Sequence, residues 1–300
     1  MSKNLRGSLM LLLTALIWGT AFVAQSAGMD YVGPFTFGAV RTLIGAVVLI
    51  PVTMIFWKKR TPTNPKPYSI KNSVLGGVAC GLVYTAASNL QQYGISQTTA
   101  GKAGFITALY IVIVPLLGIF IGRKVPRILW FCIGAAVLGF YLLCMNERLT
   151  ISRGDFLVLL CAFFFSLHIM VIDHFAAKNV NGVLMSCVQF FTAGLITLVP
   201  MLLFEHPTIE ALWNARLTLF YTGAISCGVA YTLQIIAQKD TDPTIATLLM
   251  SLESVFAALS GALLLHEKMS VKEIVGCILV FTAVIFAQIP LPKLHRKGNR

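Results

Sequence analysis

Residues Pro243 to Glu267 read PTIATLLMSLESVFAALSGALLLHE, an apolar run with one acid, Glu253, close to its middle. An acidic side chain at the centre of a membrane helix costs roughly 2.5–3.5 kcal/mol on the insertion scale. The ten larger aliphatic and aromatic residues from Ile245 to Leu265 return roughly 3–6 kcal/mol between them, at about 0.3–0.6 each. The run can therefore span a bilayer, provided that Glu253 faces protein or water and not lipid. An acid held at that depth calls for a substrate or proton pathway inside a helix bundle.

The remainder of the chain agrees with a polytopic membrane protein. Of 300 residues, 57% are hydrophobic and 11% charged, where soluble domains carry about 25% charged residues. The net charge of +12 suggests nucleic acid at first sight, but its placement beside apolar runs points to anchoring on one face of a bilayer. Seven cysteines (80, 132, 144, 161, 187, 227 and 277) lie singly in apolar runs. Without a CxxC pair or a Cys/His cluster no metal or redox centre is expected, and the thiols read as packing residues. The basic Met1 to Arg6 leads into an apolar run without a small-residue cleavage site, which reads as a retained first helix rather than a signal peptide.

Ten runs approach the twenty or so residues needed to cross the hydrocarbon: 7–25, 34–57, 73–93, 99–121, 128–145, 155–177, 182–204, 217–238, 243–265 and 273–290. They are continuous rather than alternating, which excludes a barrel. With the N-terminus in the cytoplasm, 16 lysines and arginines fall inside and 6 outside, with Arg41 left within the second span. The bias predicts a multi-pass protein of the cell membrane with both termini cytoplasmic. Gly118–Arg127 (GIFIGRKVPR) and Gly261–Lys272 (GALLLHEKMSVK) recur at matching places, each after a long apolar helix and a helix ending in glutamines. The chain thus divides into two five-span repeats, 1–147 and 148–300. Five is odd, so the second copy starts from the opposite side of the membrane, an arrangement typical of transporters with a midplane site.

Ala15–Gln25 (ALIWGTAFVAQ), Arg41 in GAVRTLIGAVV, and Ser251–Glu267 (SLESVFAALSGALLLHE) resemble the EamA-type transporters of the drug/metabolite transporter superfamily. The resemblance covers almost the whole chain in two copies. It implies an all-α membrane carrier of ten helices, two inverted five-helix repeats, with spans 1–4 and 6–9 around a central cavity and spans 5 and 10 peripheral. Three positions depart from the family pattern. Ser254 stands at the family's proline, which implies a softer helix break, and Arg123 stands where the family often has Glu. Leu109 stands where the second copy has Glu253, so acid-based coupling would rest on the second half.

Trp18, Tyr84, Tyr110, His168, Tyr231 and Glu253 all fall near the middle of their spans. Glu253 shares a helix face with Ala246, Met250 and Ala257, and two readings stand: a protonatable gate or amine partner, or a neutral buried carboxyl that fixes packing. His168 reads as a proton relay or as a hydrogen-bonded packing residue. Thr14, Trp18, Ala21 and Gln25 form a polar and aromatic stripe on the first helix, read as a cavity wall or as close packing around Gly19. Tyr231, Gln234 and Gln238 mark another face turned away from lipid. Lys102 and Asp173 are gate candidates at opposite mouths, Lys102 alternatively snorkelling to headgroups. Arg41 either reaches the interface or pairs inside the bundle. The pairs Gly77/Gly81 and Gly118/Gly122 read as close helix contacts.

The expected function is a secondary transporter, an exporter, of small metabolites such as amino acids or related amphipathic compounds. One repeat would rock against the other about the midplane cavity, with or without a coupled proton. The alternatives are an intramembrane enzyme and a channel or structural subunit. No HExxH, paired membrane aspartates or complete GxSG supports the enzyme, and no filter motif supports the channel. Gly101-Lys102 lacks the earlier glycine of a nucleotide-binding loop, so no ATP is expected as partner. The expected partners are a small-molecule substrate and the lipid bilayer, with no cofactor and no nucleic acid, in a monomer or homodimer.

Overall fold

The computed structural model describes residues 3–56, 68–97, 100–144, 152–264 and 269–288, and their regular structure is helical throughout. In the first half, α1 (Lys3–Gly28), α2 (Pro34–Phe56) and α3 (Ile70–Ile95) are continuous. The next run is interrupted at Leu109 into α4 (Ala100–Ala108) and α5 (Tyr110–Phe120), and α6 (Arg127–Cys144) follows. In the second half come α7 (Arg153–Ala176), α8 (Gly182–Phe204) and a short surface helix, α9 (Ile209–Asn214). Then α10 (Arg216–Phe220), a π-helical stretch over Tyr221–Ala230 and α11 (Tyr231–Ala237) form one rod. The acid-bearing run is interrupted at Ser251 into α12 (Pro243–Met250) and α13 (Leu252–Leu264), and α14 (Val271–Ala287) ends the described chain.

Eight helices among the described residues are long and apolar enough to cross a membrane, so the chain is a multi-pass membrane protein. The expected fifth and tenth spans correspond to the shorter helices α6 and α14. The 17 residues of α14 rise about 25 Å, less than the roughly 30 Å of hydrocarbon. These two short helices pack on each other.

The ends of the helices are set by local chemistry that lipid cannot supply. Ser152 with Asp155 and Ser270 with Glu273 form capping boxes on α7 and α14, Asn181 caps α8, and Asp242 with Pro243 behind it starts α12. At the end of α5, Gly122 adopts φ +82°, and the Arg123 N–H closes on the Gly118 carbonyl at 2.9 Å. A Cβ on Gly122 would meet nothing within 4 Å. The Gly118/Gly122 pair therefore ends a helix and is not the helix contact expected from its spacing. Gly77 and Gly81 do serve close packing, α3 lying on α8 at Val188 and Thr192.

The long helices bury one face and leave apolar side chains exposed on the other. On α1, Leu9, Leu13 and Leu16 are exposed while Leu11, Thr14, Ala15, Ala21 and Gln25 are buried. The most extensive helix pairings all join one half of the chain to the other: α2 with α8, α3 with α7 and α8, α6 with α14, and α1 with α13. The halves are therefore interleaved, and neither buries its polar faces alone. The pattern also survives exchange of the halves. α3 packs on α7 as α1 packs on the rod of α10 and α11, and α4 and α5 meet α7 as α12 and α13 meet α1.

Candidate functional site

Where the interrupted helices meet the interleaved ones, the bundle encloses a small cavity. Its walls are Trp18, Phe22 and Gln25 of α1, Arg41 of α2, Gln91 of α3, Thr107 and Tyr110 flanking the first interruption, and Phe165, His168 and Ile169 of α7. Ser226, Tyr231 and Gln234 from the rod, with Met250 and Glu253 flanking the second interruption, complete it. The space open to water centres is about 40 Å³, room for about three waters at about 10–15 Å³ each. A metabolite would need the walls to move apart.

The interruption at Ser251 explains the position of Glu253. The Ser251 N–H still reaches the Thr247 carbonyl at 2.9 Å, and α13 restarts at Leu252. Glu253 thus lies in the first turn of α13. The Tyr110 hydroxyl donates to Glu253 Oε1 at 3.1 Å. The family resemblance associates the break with residue 254; it falls three residues earlier, so the loss of the proline does not remove it. Two residues beyond the interruptions stand Ile111 in the first half and Glu253 in the second.

Around the acid is an aromatic and amide shell. Trp18 and Tyr231 hold their rings 4.5 Å apart, and Tyr231 meets Tyr84 edge-on at 5.1 Å and His168 at 6.0 Å. His168 Nε2 and Gln189 Oε1 are hydrogen-bonded at 2.9 Å. Arg41, 3% exposed, donates from Nη1 to Gln25 Oε1 at 2.6 Å and from Nη2 to Ser88 Oγ at 2.7 Å. Several polar atoms of this shell have no partner among the described residues: Trp18 Nε1, Arg41 Nε, His168 Nδ1, Gln189 Nε2 and Gln234 Oε1. A buried polar atom left bare costs about 1–3 kcal/mol, so a cluster of them around a hollow implies water or solute inside it.

Seven residues singled out in the sequence line this cavity: Trp18, Gln25, Tyr110, His168, Tyr231, Gln234 and Glu253. Tyr84 stands behind the wall instead, its hydroxyl 3.7 Å from Cys227 Sγ. Asp173 lies away from the cavity, near the end of α7, in an ion pair with Arg123. Lys102 falls within α4, with its side chain outside the described residues. At the other end of α8, Glu205 accepts from the Phe35 and Thr36 N–H groups at 2.9 and 2.6 Å, capping α2 across the two halves. Phe22, Gln91, Thr107 and Ser226 were not anticipated as lining. Phe22 continues the face of Trp18 and Gln25, whereas the π-helical turn that presents Ser226 has no periodic signature.

The described residues thus form an interleaved helical membrane bundle around an enclosed polar and aromatic cavity that holds a buried acid. The chain belongs to the EamA-like transporter family, whose model matches residues 5–145 and again 152–288. It is 31% identical over 293 residues to an uncharacterized transporter of Archaeoglobus fulgidus, covering 96% of this chain and 87% of that one. An uncharacterized transporter of Bacillus subtilis is 22% identical over 270 residues, 88% of this chain and 90% of that one. A crystal structure of a protein with 17% identity superposes with a TM-score of 0.76 over 94% of this chain and 96% of that chain.

Proposed function

We propose that the protein is a secondary transporter of small polar or amphipathic metabolites such as amino acids, working in the export direction by alternating access to this cavity. The observation that carries the reading is the convergence of Glu253, His168 and five further polar or aromatic side chains from both halves on one buried hollow. The twofold family match and the exchange pattern of helix contacts support two inverted repeats, 1–147 and 148–300, of five spans each. On this reading α6 and α14 are the fifth and tenth spans. The charge bias supports cytoplasmic termini in the cell membrane.

The interleaving argues against rocking of one repeat as a body. The moving units are mixed: α1 with the rod and α12–α13 on one side, α3–α5 with α7 on the other. The Arg123–Asp173 pair near the C-terminal end of α7 and the Glu205 cap on α2 at the C-terminal end of α8 tie first-half to second-half residues. Glu253 is the coupling group, accepting a proton on one side and releasing it on the other. The reading is tested by counterflow in proteoliposomes against a broad metabolite panel. Accumulation of a labelled solute against its unlabelled form is the expected result; no exchange across the panel returns the protein to the enzyme or structural classes.

A further inference from the structure

Arg41 is buried, and a guanidinium stays charged at any physiological pH. Its hydrogen bonds go to the neutral Gln25 and Ser88, and Nε has no partner among the described residues. No carboxylate among those residues pairs with it. Burying an ion without a counter-charge costs several kcal/mol, yet a carboxylate, Glu253, lines the same cavity and is not paired with it. Glu253 instead takes the Tyr110 hydroxyl. The cavity thus holds one fixed cation on α2 and one acid on α13, not paired with each other, and the aromatic side chains of Trp18, Phe22, Phe165 and Tyr231 line it as well.

We infer that Arg41 is the anchor for a substrate carboxylate, so that the transported compound is a small zwitterion: carboxylate on Arg41, ammonium at Glu253, apolar side chain against the aromatic wall. This rests on the transport reading above. A guanidinium and a carboxylate meet through parallel N–H donors, and Arg41 Nε is the free donor for such a pair. Gln25 and Ser88 hold the guanidinium in place before the ligand arrives. Of the two charges, Arg41 sets which compounds enter, because an amine or amide that lacks the carboxylate leaves the cation bare.

The test uses the full-length protein in proteoliposomes and four probes that share one apolar frame: L-leucine, L-leucinamide, isopentylamine and 4-methylpentanoate. The other proteinogenic amino acids run alongside. At least one amino acid is expected to exchange in counterflow, and its amide and amine to compete at least about 30-fold more weakly, about 2 kcal/mol. Arg41→Gln is expected to lose that discrimination, whereas Arg41→Lys, which keeps the cation, retains part of it; thermal denaturation of each variant checks folding. If the amide competes as well as the amino acid with wild-type protein, the inference is overturned and transport stands. If no amino acid exchanges but other solutes of a broad panel do, it is overturned likewise. If nothing exchanges, both readings fall.

Discussion

Gly19 lies where α1 crosses α13, and a methyl group there tests how closely the two helices hold Glu253. A Cβ on Gly19 would sit 2.6 Å from the Glu253 carbonyl oxygen, 2.7 Å from Phe256 Cβ and 2.8 Å from the Ala257 nitrogen. Two of these neighbours are backbone atoms and cannot swing aside. Reaching the 3.4 Å of ordinary contact moves the helices apart by about 0.8 Å, and overpacking of this kind costs about 1–3 kcal/mol. Alanine also gains about 0.5–1 kcal/mol of helix propensity over glycine, which would mask part of the loss. Gly134 on α6 supplies the reference, since a Cβ there meets nothing within 4 Å. Gly134→Ala gains the same propensity without the clash. The stability difference between Gly19→Ala and Gly134→Ala, read from reversible unfolding in mixed micelles, should therefore be about 1–3 kcal/mol in favour of the latter. Counterflow should fall in the first variant only, because the shift separates Trp18 from Glu253. Equal stability and equal transport would refute the close crossing and the position it gives the acid.

Other perturbations act on the acid and the two ends. Glu253→Gln should abolish accumulation driven by an imposed pH gradient and also weaken solute exchange without a gradient, since it removes the ammonium's partner along with the coupling carboxyl; unchanged accumulation removes Glu253 from coupling. Asp173→Asn breaks a partly exposed ion pair with Arg123, worth about 0.2–1 kcal/mol. It should lower unfolding stability by no more than that amount, and the swap Arg123→Asp with Asp173→Arg should restore it. Glu205→Ala removes the cap that accepts two N–H groups of α2. It should lower unfolding stability by about 0.5–2 kcal/mol, and stability equal to wild type would mean that water replaces the cap without loss.

Helix periodicity and the cost of burying polar groups act along a single helix, so several side chains that line the cavity are legible in the sequence. Trp18 and Gln25 are legible as turned from lipid because they share a face with Thr14 and Ala21 and oppose the exposed leucines of α1, and Glu253 because an acid at mid-span cannot face lipid. What depends on two helices at once was not legible. The sequence does not choose between the two readings of Arg41, because its partners Gln25 and Ser88 lie on other helices. The pairing of α2 with α8 and of α3 with α7 has no local signal, so the halves looked like separable bodies. The interruptions at Leu109 and Ser251 lack the proline that would announce them. Gly118 and Gly122 matched a packing spacing, but Gly122 takes a left-handed turn that ends its helix, and spacing alone does not distinguish those uses.

Central to the account is a hollow reached from one side of the membrane and then from the other. Ser226 lines it on the π-helical turn and is 4% exposed. In a background with the native cysteines replaced, Ser226→Cys in oriented proteoliposomes should react with a membrane-impermeant thiol reagent added to either face. Saturating transported solute should shift the two rates in opposite senses. A thiol that reacts from neither face, or from one face under every condition, contradicts alternating access.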